Sequence, residues 1–168
     1  MRSRAGITNP AMRIRPAQPG DVAEIIALIA ELAEYEKALH EAKAEPDQIL
    51  AHFFSADPKV FCEIIESDGV VAGLAIWFLN YSTWTGTHGI YLEDLFVRPH
   101  YRGLGYGTLL LKYLAKKAVD NGYARFQWQV LDWNEPSIEF YKSLGAYPLS
   151  EWVPYRITGP ALEKLAEE

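Results

Sequence analysis

The sequence predicts a mixed α/β fold, with helices on both faces of a central sheet. Along the 168 residues, segments with the alternation of strands are interspersed with segments of helical periodicity. An apolar run at 91–97 that carries two acids leads into a glycine-rich loop and then a helix. A second strand-to-helix joint, at 132–137, has asparagine and proline where helices usually begin.

The first third of the chain predicts one strand followed by two helices. Residues 12–15 favour a short strand that ends at a proline. Asp21 is expected to cap an amphipathic helix that reaches about Lys37, with Glu24 as its capping-box partner. Residues 47–54 predict a second, shorter helix.

The middle of the chain predicts three strands. Residues 60–66 and 70–81 alternate in the manner of strands, and the Ser-Asp-Gly turn between them indicates a hairpin. A loop at 82–89 then leads to the acidic strand at 90–97.

The last third predicts two strands among three helices. We expect helices at 108–122 and 136–144, closed by glycines, and a helix from residue 158 to the C-terminus. Strands are predicted at 126–131 and, interrupted by a proline, at 147–157.

Composition limits the function classes. The net charge of −6 disfavours nucleic-acid binding; it favours cationic small substrates, or serves only solubility. The one cysteine, Cys62, excludes an internal disulfide and a multi-cysteine metal site, and it suits the cytoplasm. No apolar run approaches the ~20 residues of a membrane span. We expect residues 1–11 to be a flexible tail and residues 12–168 to form a single domain.

The glycine loop (residues 102–107) predicts an anion-binding site. Glycines let the backbone turn tightly, and the free N–H groups and dipole of the following helix favour a phosphate. The loop lacks the P-loop lysine, and Thr108 breaks the dinucleotide-binding pattern. Its spacing is R-x-x-G-x-G at Arg102, Gly105 and Gly107, which a plain glycine-rich turn would also allow.

Five sequence blocks resemble one enzyme family. They are IRPA at 14–17, ELAEYE at 31–36, YLEDLFV at 91–97, YRGLGYG at 101–107 and WNEPSIEFYKSLGA at 133–146. Together they resemble the GNAT N-acetyltransferases, and specifically the spermidine/spermine (diamine) acetyltransferases and their thialysine-acetylating relatives. The resemblance implies the GNAT fold, with a splayed sheet of about six to seven strands, and by analogy a homodimer.

The resemblance also implies that acetyl-CoA is the acetyl donor. Its pantetheine arm would pair with the backbone of the acidic strand, and its pyrophosphate would bind the glycine loop, with further contacts from the second joint. The residues implied are Leu95, Phe96, Val97, Arg102, Gly103, Leu104, Gly105, Tyr106, Gly107, Asn134, Ser137 and Tyr141.

Direct transfer to an amine needs two proton-handling groups. An alkylammonium of pKa ~10 must lose a proton before it attacks. Glu93 is the first candidate for the base and Asp94 the second, because two adjacent acids raise each other's pKa; either acid has a purely structural or substrate-holding alternative. Tyr141 matches the family's general acid, although a tyrosine on a short helix is more often a core residue. A backbone N–H of the acidic strand is expected to bind the oxyanion. Cys62 lies outside the matched blocks, and no metal is expected.

Acids and aromatic residues are expected to line the amine channel, as in the family. The matching positions are Tyr35, Glu36, Ser82, Trp84, Glu93, Trp133, Glu151 and Trp152. Trp84 would be either a packing residue or a wall of the site. Polyamine acetyltransferases carry an acid where this chain has Ser82. We therefore expect a lysine-like or short diamine substrate, such as thialysine, to be preferred over spermine.

Two other functions remain open at this point. One is a GNAT enzyme that acetylates an amino acid, an antibiotic or a protein N-terminus. The other is a non-catalytic acyl-CoA-binding sensor. Tyr141 and the Glu93–Asp94 pair argue against the sensor, because binding alone does not need them.

Overall fold

The computed structural model describes residues 11–167, so the expected tail at 1–11 lies outside the described residues except for its last position. Two compact units make up the chain, residues 1–129 and residues 130–168. The single domain expected at 12–168 stays a prediction. Among the described helices, none is both long enough and apolar enough to cross a membrane.

The first unit is built on a mixed five-stranded sheet in the order β1-β2-β3-β4-β5. Its first four strands pair antiparallel, and β5 pairs parallel to β4. The strands are β1 (Met12–Pro16), β2 (Phe61–Ser67), β3 (Val70–Ser82), β4 (Thr87–Val97) and β5 (Arg125–Gln127).

Helices cover both faces of this sheet, as predicted. Helices α1 (Val22–Tyr35) and α2 (Pro46–Phe53) enclose the main core on one face. Helix α3 (Tyr106–Asp120) packs on the other face, where Lys117 lies over the Trp77 ring. The main core consists of Val22, Ile25, Leu28, Ile49, Cys62, Ile64, Leu74, Ile76 and Phe96.

The start of α1 differs from the prediction. The Asp21 carboxylate does not cap the helix; it accepts hydrogen bonds from the Arg15 guanidinium at 2.7 and 2.9 Å and from the Gln18 N–H at 2.7 Å. Arg15 also bonds Glu66 on β2. A charged partner competes better for a carboxylate than a neutral N–H does, so Asp21 joins α1 to the sheet instead.

The β2–β3 hairpin is confirmed, and its turn follows from two positive φ angles. Asp68 has φ 50° and Gly69 has φ 78°. Two-residue hairpin turns of this kind need positive φ at both positions, which aspartate and glycine tolerate.

The second unit holds helices α4 (Glu135–Ser143) and α5 (Gly159–Glu167). The strand predicted at 147–157 is wrong, because this segment is irregular in the structure. Pro148 and Pro154 each lack a backbone N–H and so weaken any ladder there. The strand predicted at 126–131 ends at Gln127. The described sheet therefore has five strands instead of six to seven.

Candidate active site

Strand β4 has a free edge at its C-terminal half. The parallel pairing with β5 stops at Tyr91 and Gln127, whereas β4 continues to Val97. Backbone groups on this edge from residue 92 onward face no β5 residue, so they are available to a ligand, except for the Val97 carbonyl, which accepts a hydrogen bond from Arg102 Nε. Leu95, Phe96 and Val97, predicted to bind the pantetheine arm, lie on this edge.

Gly73 allows β3 to approach this part of β4 closely. It lies opposite Val97, and a Cβ atom on it would stand 2.4 Å from the Phe96 carbonyl oxygen. Any side chain at this position would push the two strands apart. The sequence analysis missed this role, although a glycine within a strand is the signal of a close backbone approach.

A β-bulge in β4 determines the positions of Glu93 and Asp94. Ile76 pairs with Asp94 and Trp77 pairs with Leu92, so Glu93 is the extra residue of β4. Bulges bend and twist a strand and redirect side chains. As a result Leu92 and Asp94 lie on opposite faces of the sheet, and Glu93 is exposed.

Three carboxylates form an acid cluster, which we define as Glu36, Glu93 and Asp94. Burial raises the pKa of Asp94 to about 6, and the negative charges of Glu93 and then Glu36 contribute to the rise. Burial also raises the pKa of Glu36. The structure thus combines Glu36, at the end of α1, with the acid pair of β4. An acid with a pKa near 6 is suited to accept a proton at neutral pH.

Arg98 holds α1 against the end of β4. Its Nη2 lies 2.9 Å from Glu31 Oε1 and 2.9 Å from Glu24 Oε2, both on α1. Its Nη1 donates to the Val71 carbonyl of β3 at 3.0 Å. These contacts hold α1, the helix that ends beside Glu36, against β3 and the end of β4.

The glycine loop has the backbone geometry of an anion site. Gly103 and Gly105 both have φ 79°, and a Cβ atom on either would meet nothing within 4 Å. Conformation therefore requires glycine here, and the space above the loop is open. Helix α3 begins at Tyr106, two residues before the predicted Thr108.

The N-terminus of α3 presents unpaired donors. The first hydrogen bond of the helix joins the Leu109 N–H to the Gly105 carbonyl at 3.0 Å. The N–H groups of residues 106–108 precede it and have no acceptor within the helix. Gly105, at the N-cap, has no side chain to occupy them.

Arg102 and Tyr106 attach the glycine loop to the sheet. The Arg102 Nε donates to the Val97 carbonyl at 2.9 Å, and its guanidinium lies 5.1 Å from the centroid of the Tyr35 ring. Tyr106 is buried and its hydroxyl donates to Ser67 Oγ at 2.9 Å. Tyr106 can therefore offer a ligand only its backbone. Leu104 and Gly107 complete the loop, which is mostly exposed.

Ser82 and Trp84 lie at the opposite end of the β3–β4 hairpin from the acid cluster. Ser82 is buried, and its Oγ accepts the Thr85 N–H at 3.3 Å within the turn. Trp84 is 89% exposed. From Thr87 to Glu93, β4 rises roughly 20 Å at ~3.4 Å per residue. Within one chain, the structure does not bring these two residues to the acids.

The other predicted site residues belong to the second unit. Asn134 is buried and caps α4, as predicted, by accepting the Ser137 N–H at 3.4 Å. Tyr141 lies on α4, with its ring 5.4 Å from that of Phe140. Exposed side chains at the remaining positions are Trp133, Glu151 and Trp152. The roles of all six residues stay predictions.

Two further features bear on the chemistry. Burial raises the pKa of the Cys62 thiol far above its usual range, which makes it a poor nucleophile. Across residues 11–167, no group of three or more His, Cys, Asp and Glu side chains has the arrangement of a metal site.

Comparison with known proteins covers both units. Residues 24–146 match the family described as the acetyltransferase (GNAT) family. The chain is 40% identical over 165 residues to a thialysine N-epsilon-acetyltransferase from Mus musculus, which covers 92% of this chain and 96% of the relative. It is 34% identical over 166 residues to spermidine/spermine N(1)-acetyltransferase-like protein 1 from Homo sapiens, covering 93% of this chain and 24% of that protein.

A solved structure shows the same architecture. An integron cassette protein from the mobile metagenome of V. cholerae superposes with a TM-score of 0.79 at 28% sequence identity. The superposition covers 94% of this chain and 98% of the cassette protein.

Proposed function

The chain belongs to the GNAT acetyltransferase family and is an N-acetyltransferase, and we propose that it transfers the acetyl group of acetyl-CoA to the terminal amine of a lysine-like substrate. The acid cluster carries the proposal. Three carboxylates beside a free strand edge attract an ammonium ion and include one acid, Asp94, whose pKa of about 6 suits proton transfer near neutral pH.

The residues of the first unit fit acetyl-CoA. Bound acetyl-CoA supplies an acetyl group activated as a thioester. The free edge at Leu95–Val97 offers backbone N–H and C=O groups to the amides of the pantetheine arm, the Val97 carbonyl excepted because it bonds Arg102. The open space above Gly103 and Gly105, with the free N–H groups that follow, suits the pyrophosphate. Arg102 adds a positive charge, and Asn134 and Ser137 are proposed to contribute from the second unit.

Asp94, rather than Glu93, is the residue we assign to proton acceptance. Glu93 is the exposed extra residue of the bulge, whereas Asp94 is partly buried beside two other negative charges. An efficient base has a pKa near the working pH, which the raised pKa of Asp94 approaches. Glu93 then has two roles: it raises the pKa of Asp94 and it attracts the substrate ammonium.

Two further groups complete the proposed mechanism. Tyr141 protonates the leaving thiolate, and a backbone N–H of β4 binds the developing oxyanion, which needs donors already oriented toward it. The buried Cys62 takes no part, so the amine accepts the acetyl group directly.

The substrate class rests on charge and on the relatives. The substrate named for the mouse relative, thialysine, is a lysine analogue with one terminal amine. Ser82 lies too far from the acid cluster to select the substrate within one chain: its hydroxyl closes a turn roughly 20 Å from the acids along β4, and an aspartate would accept the same Thr85 N–H. An acid at this position would therefore not reach an amine bound at Asp94 of the same chain.

The test is a panel of amines with thiol release as the readout. We expect kcat/KM to rank thialysine, lysine and ornithine above spermine. Glu36→Gln should raise KM for every cationic amine and leave acetyl-CoA binding unchanged. The substrate proposal is wrong if spermine is the best substrate. Binding of acetyl-CoA without thiol release from any amine would instead indicate a sensor, and turnover confined to aminoglycosides or peptide N-termini would indicate another acceptor class.

We also propose a cytoplasmic homodimer without nucleic-acid or membrane partners. The exposed Trp84 at the hairpin tip is an apolar side chain of the kind that interfaces cover. If Trp84 contacts the amine, it does so from a second copy, because its own acid cluster is too far away. Light scattering should give twice the mass of the 19.0 kDa chain, and Trp84→Ser should weaken the association. A monomer at micromolar concentration would refute the dimer.

A further inference from the structure

A buried hydrogen bond joins the glycine loop to β2, a strand that carries no predicted site residue. Tyr106 is the one buried residue of the loop at 102–107, all of which the structure describes. Its hydroxyl donates to Ser67 Oγ at 2.9 Å, and both residues are 5% exposed. A hydrogen bond between groups buried to this extent is costly to leave unmade. The end of the loop is therefore tied to one particular atom of the sheet.

Ser67 is held within the sheet from both sides. It is the last residue of β2, and it pairs with Met12 of β1 and with Val70 of β3. A residue in a strand with neighbours on both sides has little freedom to move. Tyr106 thus bonds a partner whose position is fixed by the sheet.

Tyr106 is also the first donor of α3. The helix begins at this residue, and its N–H precedes the first helical hydrogen bond, from Leu109 to Gly105. Its ring stacks on that of Tyr101, just before the loop, with the centroids 6.2 Å apart. Backbone donors cannot rotate toward a ligand as side chains do, so their direction depends on the position of the helix. The side chain of Tyr106 therefore determines where the free N–H groups of residues 106–108 point.

The remaining loop residues have few contacts that could do this instead. Leu104 is 53% exposed, and a Cβ atom on Gly103 or Gly105 would meet nothing within 4 Å. Arg102 attaches the start of the loop to β4 through the Val97 carbonyl. The attachment of its end depends on Tyr106.

The far end of α3 has a separate attachment to β2. The buried Glu63 carboxylate bonds Lys117 and Tyr113 on α3, together with Trp77 on β3. Lys117 lies roughly 16 Å along the helix from Tyr106, at 1.5 Å per residue. This second attachment stabilises the packing of α3 at a distance from the anion site, so it provides a control for stability alone.

We propose that Ser67 is a positioning residue for acetyl-CoA. Through the Tyr106 hydroxyl it holds the N-terminus of α3 where the backbone N–H groups of residues 106–108 meet the pyrophosphate. Ser67 acts without contacting the donor or the amine. This role rests on the proposed binding of acetyl-CoA by the glycine loop, and Ser67 lies outside every segment assigned to the site above.

The test compares two acetyl donors, acetyl-CoA and acetylpantetheine, which lacks the pyrophosphate. Ser67→Ala removes the acceptor on the sheet, whereas Tyr106→Phe removes the hydroxyl and keeps the ring beside Tyr101. Each variant should raise the acetyl-CoA KM about three- to tenfold, the net worth of one hydrogen bond. The acetylpantetheine KM, the amine KM and kcat should stay as in the wild type.

A double variant and a control complete the experiment. Once Tyr106→Phe has removed the hydrogen bond, Ser67→Ala has nothing further to remove, so the double variant should have the acetyl-CoA KM of either single variant. Glu63→Gln removes the buried charge at the far end of α3 at nearly constant volume. It should lower the midpoint of thermal unfolding and leave the acetyl-CoA KM within about twofold of the wild type.

Four results would overturn the positioning role. They are an unchanged acetyl-CoA KM in Ser67→Ala, an equal rise in the KM of both donors, effects that multiply in the double variant, and an equal rise of the acetyl-CoA KM in Glu63→Gln. Tyr106→Phe decides the matter if Ser67→Ala does not fold. A wild type with the same KM for both donors would instead refute pyrophosphate binding by the glycine loop, and the role of Ser67 with it.

Discussion

Replacing Glu93 with glutamine should move the acid limb of the kcat/KM profile to lower pH while activity is retained. Asp94 must be ionised to accept a proton, so activity should rise with pH through its pKa of about 6. Glu93 is one cause of that raised pKa, and removing its charge makes Asp94 a stronger acid. Asp94→Asn, in contrast, should lower kcat by a factor of ~10²–10⁴ and abolish the limb.

The structure sets the size of the effect. The pKa of Asp94 rises from 3.8 to about 6, a difference of about 2 units. At 1.36 kcal/mol per unit, the folded protein disfavours the ionised carboxylate by about 3 kcal/mol. Burial is the largest cause and Glu93 the second, so Glu93→Gln should recover less than half of this difference.

The same raised pKa predicts a stability effect with a definite sign. Because the folded-state pKa of this acid is above its unfolded value, ionisation favours unfolding, and the free energy of unfolding falls as pH rises from about 4 to about 6. Asp94→Asn should therefore be more stable than the wild type at pH 7.5, by at most about 3 kcal/mol, and equally stable near pH 3.

The acid limb of the kcat/KM profile is measured by steady-state thiol release between pH 5 and 9 with saturating acetyl-CoA. The stability effect is measured by thermal unfolding at pH 3 and pH 7.5. Glu34→Gln, an exposed acid on the same helix as Tyr35, is the control for a change in net charge alone. An unchanged limb in Glu93→Gln, or full activity in Asp94→Asn, would refute the assignment of Asp94 as the base. If the acid limb disappears in Glu93→Gln but not in Asp94→Asn, Glu93 is the base.

Three further variants test the rest of the site. Gly105→Glu should abolish acetyl-CoA binding in calorimetry, because a side chain at φ 79° is strained and a carboxylate repels the pyrophosphate; unchanged affinity in a folded variant would remove the glycine loop from the site. Tyr141→Phe should lower kcat by ~10²–10⁴ with little change in acetyl-CoA affinity, and turnover equal to the wild type would end its role as the acid. Arg98→Met should lower the unfolding free energy by about 1–3 kcal/mol and raise the amine KM more than the acetyl-CoA KM, because it releases α1 from β4; equal changes in both KM values would contradict a positioning role.

Local chemistry made much of the fold predictable. The hairpin at Asp68 and Gly69 depends on two adjacent residues, and the Asn134 cap depends on a side chain three residues from its partner. The positive φ angles of Gly103 and Gly105 are ones that glycine adopts without strain. Each of these features needs only a few neighbouring residues, so the sequence reveals it.

The features that the sequence could not predict depend on pairing between strands that are distant in the chain. The Asp21 carboxylate bonds Arg15 and not its own helix, and the position of Arg15 is set by the pairing of β1 with β2, where Arg15 also bonds Glu66, 51 residues away. The bulge at Glu93 depends on the register with β3, which alternation within β4 does not encode. The preference for Asp94 over Glu93 as the base depends on that register, because the pairing of Asp94 with Ile76 sets the face of the sheet on which Asp94 lies.

The bulge residue, Glu93, has a role in the proposed chemistry but is not required for folding. Strand β4 has 11 residues, and one of them, Glu93, opposes no residue of β3. A deletion of Glu93 would leave Leu92 and Asp94 on the faces they now occupy and would restore an unbroken ladder. We expect such a ten-residue strand to fold at least as well. The eleventh residue is then an insertion that folding does not require, and selection for acetyl transfer is what would retain it.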